Sequence, residues 1–166
     1  MLENKNSYFQ NLCNILEKIT LYSTMVICGS MLLVAWLHVI RRYVFNNALT
    51  WSEEFLKFSL VWFSLLSASI IQKRKGHLGI IIFRERLPKK IKNLCVKSIP
   101  FLIVITTLII TIYGIILVIN VQGRLTPALR IPLALPYASM PISFFLMTIY
   151  GINHILEDIK EGKIKK

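Results

Sequence analysis

A chain of 166 residues that is 55% apolar and only 17% charged, with a mean hydropathy of +0.60, is too apolar for an ordinary water-facing surface. It reads as an all-α integral membrane protein, a single four-helix membrane domain over 1–166. The net charge of +12 does not point to nucleic acid as a partner: the cations gather at the ends of apolar runs, where topology and attraction to anionic phospholipids account for them.

The first apolar run, Ile19 to Ile40, holds 22 residues without Asp, Glu, Lys or Arg. As a helix it is about 33 Å long, enough to cross a bilayer core once. It exceeds the roughly 7–15 residues of a signal-peptide core, and 18 residues precede it, so it reads as a retained span over about 19–40.

A short, charged, aromatic turn follows, running from Arg41 to Glu54. Thr50 with Glu53 three residues later fits a capping box at the start of the second helix. Glu53 and Glu54 suit the positive helix end, and Glu53 with Lys57 has i,i+4 pairing geometry. Tyr43, Phe45 and Trp51 fit an aromatic belt at the interface. Arg41 and Arg42, ending one helix, face Glu53 and Glu54, starting the next. Two readings stand side by side, an ion pair across the hairpin and a docking surface for another subunit.

The second span covers about 51–71, with its charges crowded into the first two turns and Phe58 to Gln72 uncharged. From Lys73 to Lys97 the chain carries nine cations, Lys73, Arg74 and Lys75 among them, against the single acid Glu85. By the positive-inside rule this basic loop, 73–97, is cytoplasmic, and four spans then put both termini on that side. Within it, His77 to Phe83 is apolar but too short to cross, and is expected to lie in the interface as an amphipathic anchor. Lys73, Arg74, Lys75 and His77 are the residues expected at this lipid and cytoplasmic boundary.

The third and fourth runs, Ser98 to Gly123 and Ile131 to Leu156, each hold 26 uncharged residues. The spacing predicts spans at about 98–122 and 137–157, the last starting late because Pro132, Pro136 and Pro141 are tolerated only near a helix start.

Chemistry in the chain itself finds little support. Cys13, Cys28 and Cys95 include no Cys-x-x-Cys pair, which argues against disulfide exchange and a structural zinc site. His38, His77 and His154 are too dispersed for a pair of axial haem ligands on the outer side. No metal or cofactor site and no catalytic or substrate-binding constellation is expected. Mid-membrane charge, the usual mark of an ion or substrate path, is absent. Small and hydroxyl residues there read as helix-packing surfaces: Gly29, Gly114, Ser64 with Ala68, and Thr107 with Thr111.

The order Arg42-Tyr-Val-Phe-Asn-Asn47, Trp51-Ser-Glu-Glu54, Trp62 with the small residues Ser64 to Ser69, Lys75-Gly-His77 and Leu87-Pro88-Lys89 resembles the small, Q-type (DctQ-like) membrane subunit of tripartite ATP-independent periplasmic (TRAP) transporters. The acid that members often carry shortly after the histidine is missing from Gly79 to Ile82. The resemblance implies a non-enzymatic subunit of the bacterial inner membrane. Its partners would be a large multi-span subunit, which holds the substrate and sodium sites, and a periplasmic substrate-binding protein that captures an organic acid such as a dicarboxylate, sialic acid or another sugar acid. The small subunit would serve as scaffold and docking surface. Matched to the motif, Arg42, Tyr43, Asn46, Trp51 and Glu54 would serve assembly at the periplasmic face, and His77 the inner face; Arg41 and Glu53, from the charge density of the turn, join the periplasmic interface candidates. A stand-alone small carrier and a redox or quinone-linked subunit are the competing readings.

Overall fold

In a computed structural model of the chain, the backbone is described for residues 2–47, 49–74 and 89–160, and side chains for 10–47, 49–74 and 98–156. The fold is all-α. Helix α1 runs Leu2–Tyr43, α2 Thr50–Lys73, α3 Lys89–Asn120, α4 Ala134–Tyr137 and α5 Ser139–Lys160. Four stretches are long and apolar enough to cross a membrane: Gln10–Tyr43, Thr50–Lys73, Ser98–Asn120 and Ala134–Leu156, the last made of α4 and α5 together.

Two helices begin well before their apolar runs. α1 starts at Leu2 and α3 at Lys89, because charged residues interrupt hydropathy without interrupting helical hydrogen bonding. Pro100, which a start near Ser98 would place in a first turn, therefore lies inside α3, where it has no N–H to offer the preceding turn. The capping box at Thr50 does not form. Thr50 is already helical, and Leu49 holds the cap position with extended backbone and no side-chain cap.

The helices pack as an open row in the order α1, α2, α5, α3. α1 lies on α2, α2 on α5 and α5 on α3; α1 touches α5 slightly, and α3 touches neither α1 nor α2 among the described residues. The α3–α5 seam is antiparallel and close. A Cβ built on Gly114 would lie 3.2 Å from the Pro141 ring, and one built on Gly151 would lie 2.7 Å from Val104 Cγ2. Between these contacts Thr148 Oγ1 donates to Thr107 Oγ1 at 3.0 Å. Gly29 contrasts with them, since nothing lies within 4 Å of a Cβ built there. It packs against no other helix among the described residues. An open row leaves broad apolar faces uncovered: on α1, Tyr22, Val26, Leu33 and Trp36 are all exposed, Leu33 to 74%.

Candidate functional site

Polar side chains collect at the two ends of the row. At the hairpin end, α1 stops at Tyr43 because Asn46 takes a left-handed conformation, φ 47°, which Asn tolerates better than most residues. Asn47 N–H then reaches back to Arg41 O at 3.1 Å. The two helices are tied just inside this turn. Ser52, fully buried, donates from Oγ to Leu49 O at 2.6 Å, and His38 Nδ1 lies 2.6 Å from the same Oγ. With the serine proton committed to Leu49, the imidazole Nδ1–H is the donor.

The second connection at this end is a compact loop, 124–133. Thr126 is buried at its centre. Its N–H donates to Ile131 O at 2.9 Å, its carbonyl accepts from Arg130 N–H at 3.1 Å, and Leu133 N–H closes the loop on Arg124 O at 2.8 Å. Arg130 is held there at φ 53°. Glu54 joins the two connections: one carboxylate oxygen, Oε2, accepts the backbone N–H of Ala128 at 2.9 Å and of Leu129 at 2.7 Å. A carboxylate that receives two N–H donors is a strong tie.

Of the two readings of the hairpin, the ion pair across it does not form among the described residues. Among the described residues neither Arg41 nor Arg42 pairs with Glu53 or Glu54, and the ion pairs present are both on Glu17. Arg42 instead sits over the Tyr43 ring, 5.9 Å from its centroid. Tyr43 and Glu53 are exposed, while Arg41 and Trp51 are half-buried. Glu53 and Lys57 are both exposed and form no pair. Ser64 is exposed and donates to Leu60 O of its own helix. Ala68 is half-buried, and the hydroxyls α2 does bury are Ser52, Ser59 and Ser69. Thr107 and Thr111 are buried, Thr107 in the α3–α5 seam.

At the opposite end, Glu17 holds α1 to α2. Its Oε2 accepts from Lys73 Nζ at 2.6 Å and its Oε1 from Arg74 Nε at 2.8 Å, and Lys73 Nζ also donates to Asn14 Oδ1 at 2.6 Å. The Tyr150 ring, fully buried, lies 5.9 Å from Lys73 Nζ, so α5 closes over the pair. Gln72 bridges further: its Nε2 donates to Met147 O at 2.9 Å, and its own carbonyl accepts from His154 Nε2 at 3.0 Å. Lys75 and His77, with the expected interfacial segment 77–83, lie outside the described residues.

Sequence reading missed Glu17, His38 and Gln72 as ties between helices. The one available signal was a polar or ionisable residue at the border of an apolar run. Glu17→Gln is expected to loosen α1 from α2 and cost on the order of 1 kcal/mol, whereas Arg74→Ala, whose side chain is 60% exposed, should be close to neutral. Thermal unfolding of the two purified variants checks the contrast; equal midpoints would show that the pair is idle.

The arrangement holds helices and loops in register and carries no constellation for bond-making chemistry. Among the described residues no group of three His, Cys, Asp or Glu could hold a metal ion. Residues 31–161 match the family described as tripartite ATP-independent periplasmic transporters, DctQ component. Three characterised relatives are similar in sequence. An isethionate TRAP transporter permease protein, DctMQ, of Oleidesulfovibrio alaskensis is 27% identical over 68% of this chain and 17% of its own length. A C4-dicarboxylate TRAP transporter small permease protein, DctQ, of Vibrio cholerae is 28% identical over 57% of this chain and 40% of its own. The sialic acid TRAP transporter small permease protein SiaQ of the same organism is 25% identical over 55% of this chain and 53% of its own. The chain thus matches about half or less of the length of these relatives. The family match covers the hairpin, the Glu54 tie and both later spans, and with it the chain belongs to the DctQ component family of TRAP transporters, whose members are transport components and not enzymes.

Proposed function

We propose that the chain is the small permease subunit of a sodium-coupled TRAP transporter, and that it extends the fixed scaffold around a large transport subunit. The observation that carries this reading is the open row. Four helices side by side, with no charged residue between Lys18 and Arg41 of α1 and with broad apolar faces uncovered, suit a partner helix surface better than a substrate path. The relatives named for isethionate, C4-dicarboxylate and sialic acid handle organic acids, and an organic acid anion captured by a periplasmic binding protein is the proposed substrate.

In this reading the termini and the basic loop 73–97 are cytoplasmic, supported by its nine cations, and the Glu54 end is periplasmic. The periplasmic platform combines both connections, with Arg41, Arg42, Tyr43, Asn46, Trp51, Glu53 and Glu54 on the first. Lys73, Arg74, Lys75 and His77 meet anionic lipid on the other side. The chain is expected to co-purify with a much larger membrane subunit, and uptake to require both together with a periplasmic binding protein. Full uptake by the large subunit and binding protein after deletion of this chain would overturn the proposal.

A further inference from the structure

Near the hairpin end an apolar cleft of about 350 Å³ opens between α1, α2, the 124–133 loop and α4, which adds Leu135 and Pro136 to its lining. Ile27 of α1 and Phe55, Phe58 and Trp62 of α2 form its walls, with Leu129 and Ile131 on the loop side, and Ser59 is the one polar residue among them. We propose that this cleft binds one acyl chain of a membrane phospholipid, with the lipid phosphate held at Arg130.

Shape favours a lipid chain over a partner helix. The α2 wall from Phe55 to Trp62 covers two turns, about 10 Å, against a hydrocarbon core of about 30 Å. Helices that pack closely in membranes also do so over small residues, whereas these walls are aromatic and branched. A flexible methylene chain asks for no hydrogen bonds and conforms to such walls.

Bulk lipid is as apolar as the cleft, so the chain alone gives little preference for one site. The headgroup supplies it. Arg130 stands between the two loop residues that line the cleft, it is exposed, and no acid among the described residues pairs with it. Its left-handed backbone, φ 53°, is costly for a residue with a side chain, and the bonds around Thr126 hold it there. An exposed arginine carried between two residues that line an apolar cleft, with no acid among the described residues to pair with it, matches a phosphate joined to an acyl chain. The site stands in either orientation of the chain and does not depend on the identity of the large subunit.

Trp62 reports on the cleft directly. The full chain carrying Trp36→Phe and Trp51→Phe, which leaves Trp62 alone, is reconstituted in phosphatidylethanolamine and phosphatidylglycerol vesicles containing a small fraction of phosphatidylethanolamine with brominated acyl chains. Trp62 should be quenched beyond the bulk fraction of brominated lipid, judged against a variant that keeps only the exposed Trp36. Arg130→Ala should raise the brominated lipid needed for that excess on the order of tenfold. Ser59→Leu, which fills the cleft, should abolish the excess without changing quenching of Trp36. Quenching of Trp62 no greater than that of Trp36 would overturn the proposal, as would an excess that Arg130→Ala leaves intact. A Trp62 that shows no excess alone and becomes shielded only when the large subunit is co-purified would identify the cleft as a protein groove, and would overturn it too.

Discussion

Glu54→Lys is expected to release the 124–133 loop from α2 and to lower stability by about 2–3 kcal/mol, because charge-assisted hydrogen bonds are each worth about 1.5–3 kcal/mol and the bond to Ala128 is exposed and contributes less. Two backbone N–H donors lose their acceptor and meet a cation instead, and that cation also opposes the dipole at the start of α2. Repulsion from Arg41 and Arg42 is secondary, since neither arginine pairs with Glu54 among the described residues. Glu54→Gln keeps a neutral acceptor and should cost about 1 kcal/mol. Glu53→Lys, one residue away and exposed, should stay within about 0.5 kcal/mol. Limited trypsin digestion reads the loop itself, since cleavage at Arg124 and Arg130 should accelerate in Glu54→Lys and not in Glu53→Lys. Unchanged melting and unchanged cleavage in Glu54→Lys would show that the tie holds nothing.

The second large effect concerns the α3–α5 seam. Placing alanine at a helical glycine ordinarily stabilises by up to about 1 kcal/mol. At Gly151 the added Cβ would meet Val104 Cγ2 at 2.7 Å, and a β-branched side chain in a helix has one strongly preferred rotamer and cannot swing aside. Overpacking of this kind costs about 1–3 kcal/mol, so Gly151→Ala should be net destabilising and Gly151→Leu should separate the helices. Gly29→Ala is the matched control, because nothing lies within 4 Å of its Cβ and the ordinary gain should appear. Val104→Ala should restore the midpoint of Gly151→Ala. Equal melting of the Gly29 and Gly151 alanine variants, or failure of that rescue, would contradict the seam as described.

The four spans were legible because a run of some 20 apolar residues has one common solution in a bilayer. Helix ends were less so: Lys89 and Leu2 begin helices whose first turns are polar, and hydropathy marks the membrane while hydrogen bonding marks the helix. Thr50 and Glu53 had the spacing of a capping box, but Leu49 takes the cap and the box never closes. Arg41, Arg42 and Glu54 stand out in the sequence as an unusual density of charge, and of the two readings left open there the ion pair across the hairpin does not form among the described residues. The atoms that Glu54 grips are backbone N–H groups 74 and 75 positions away. Every residue except proline has such a donor, so composition and spacing carry no trace of it. Ser64 and Gly29 illustrate the converse, small residues that suggest packing: Ser64 is exposed, and among the described residues nothing lies within 4 Å of a Cβ at Gly29.

The order of helices in the row has a consequence for how the chain is made. α1 and α2 emerge consecutively and meet at once, tied at one end by His38 and Ser52 and at the other by Glu17 and Lys73. α3 emerges next and finds no partner in that hairpin, because among the described residues its neighbours are α4 and α5. During synthesis it must wait in the lipid until those two helices follow. A nascent chain arrested before Ala134 therefore holds a finished hairpin and a helix still without its described neighbours, and 134–160 are the residues that bring the two halves together.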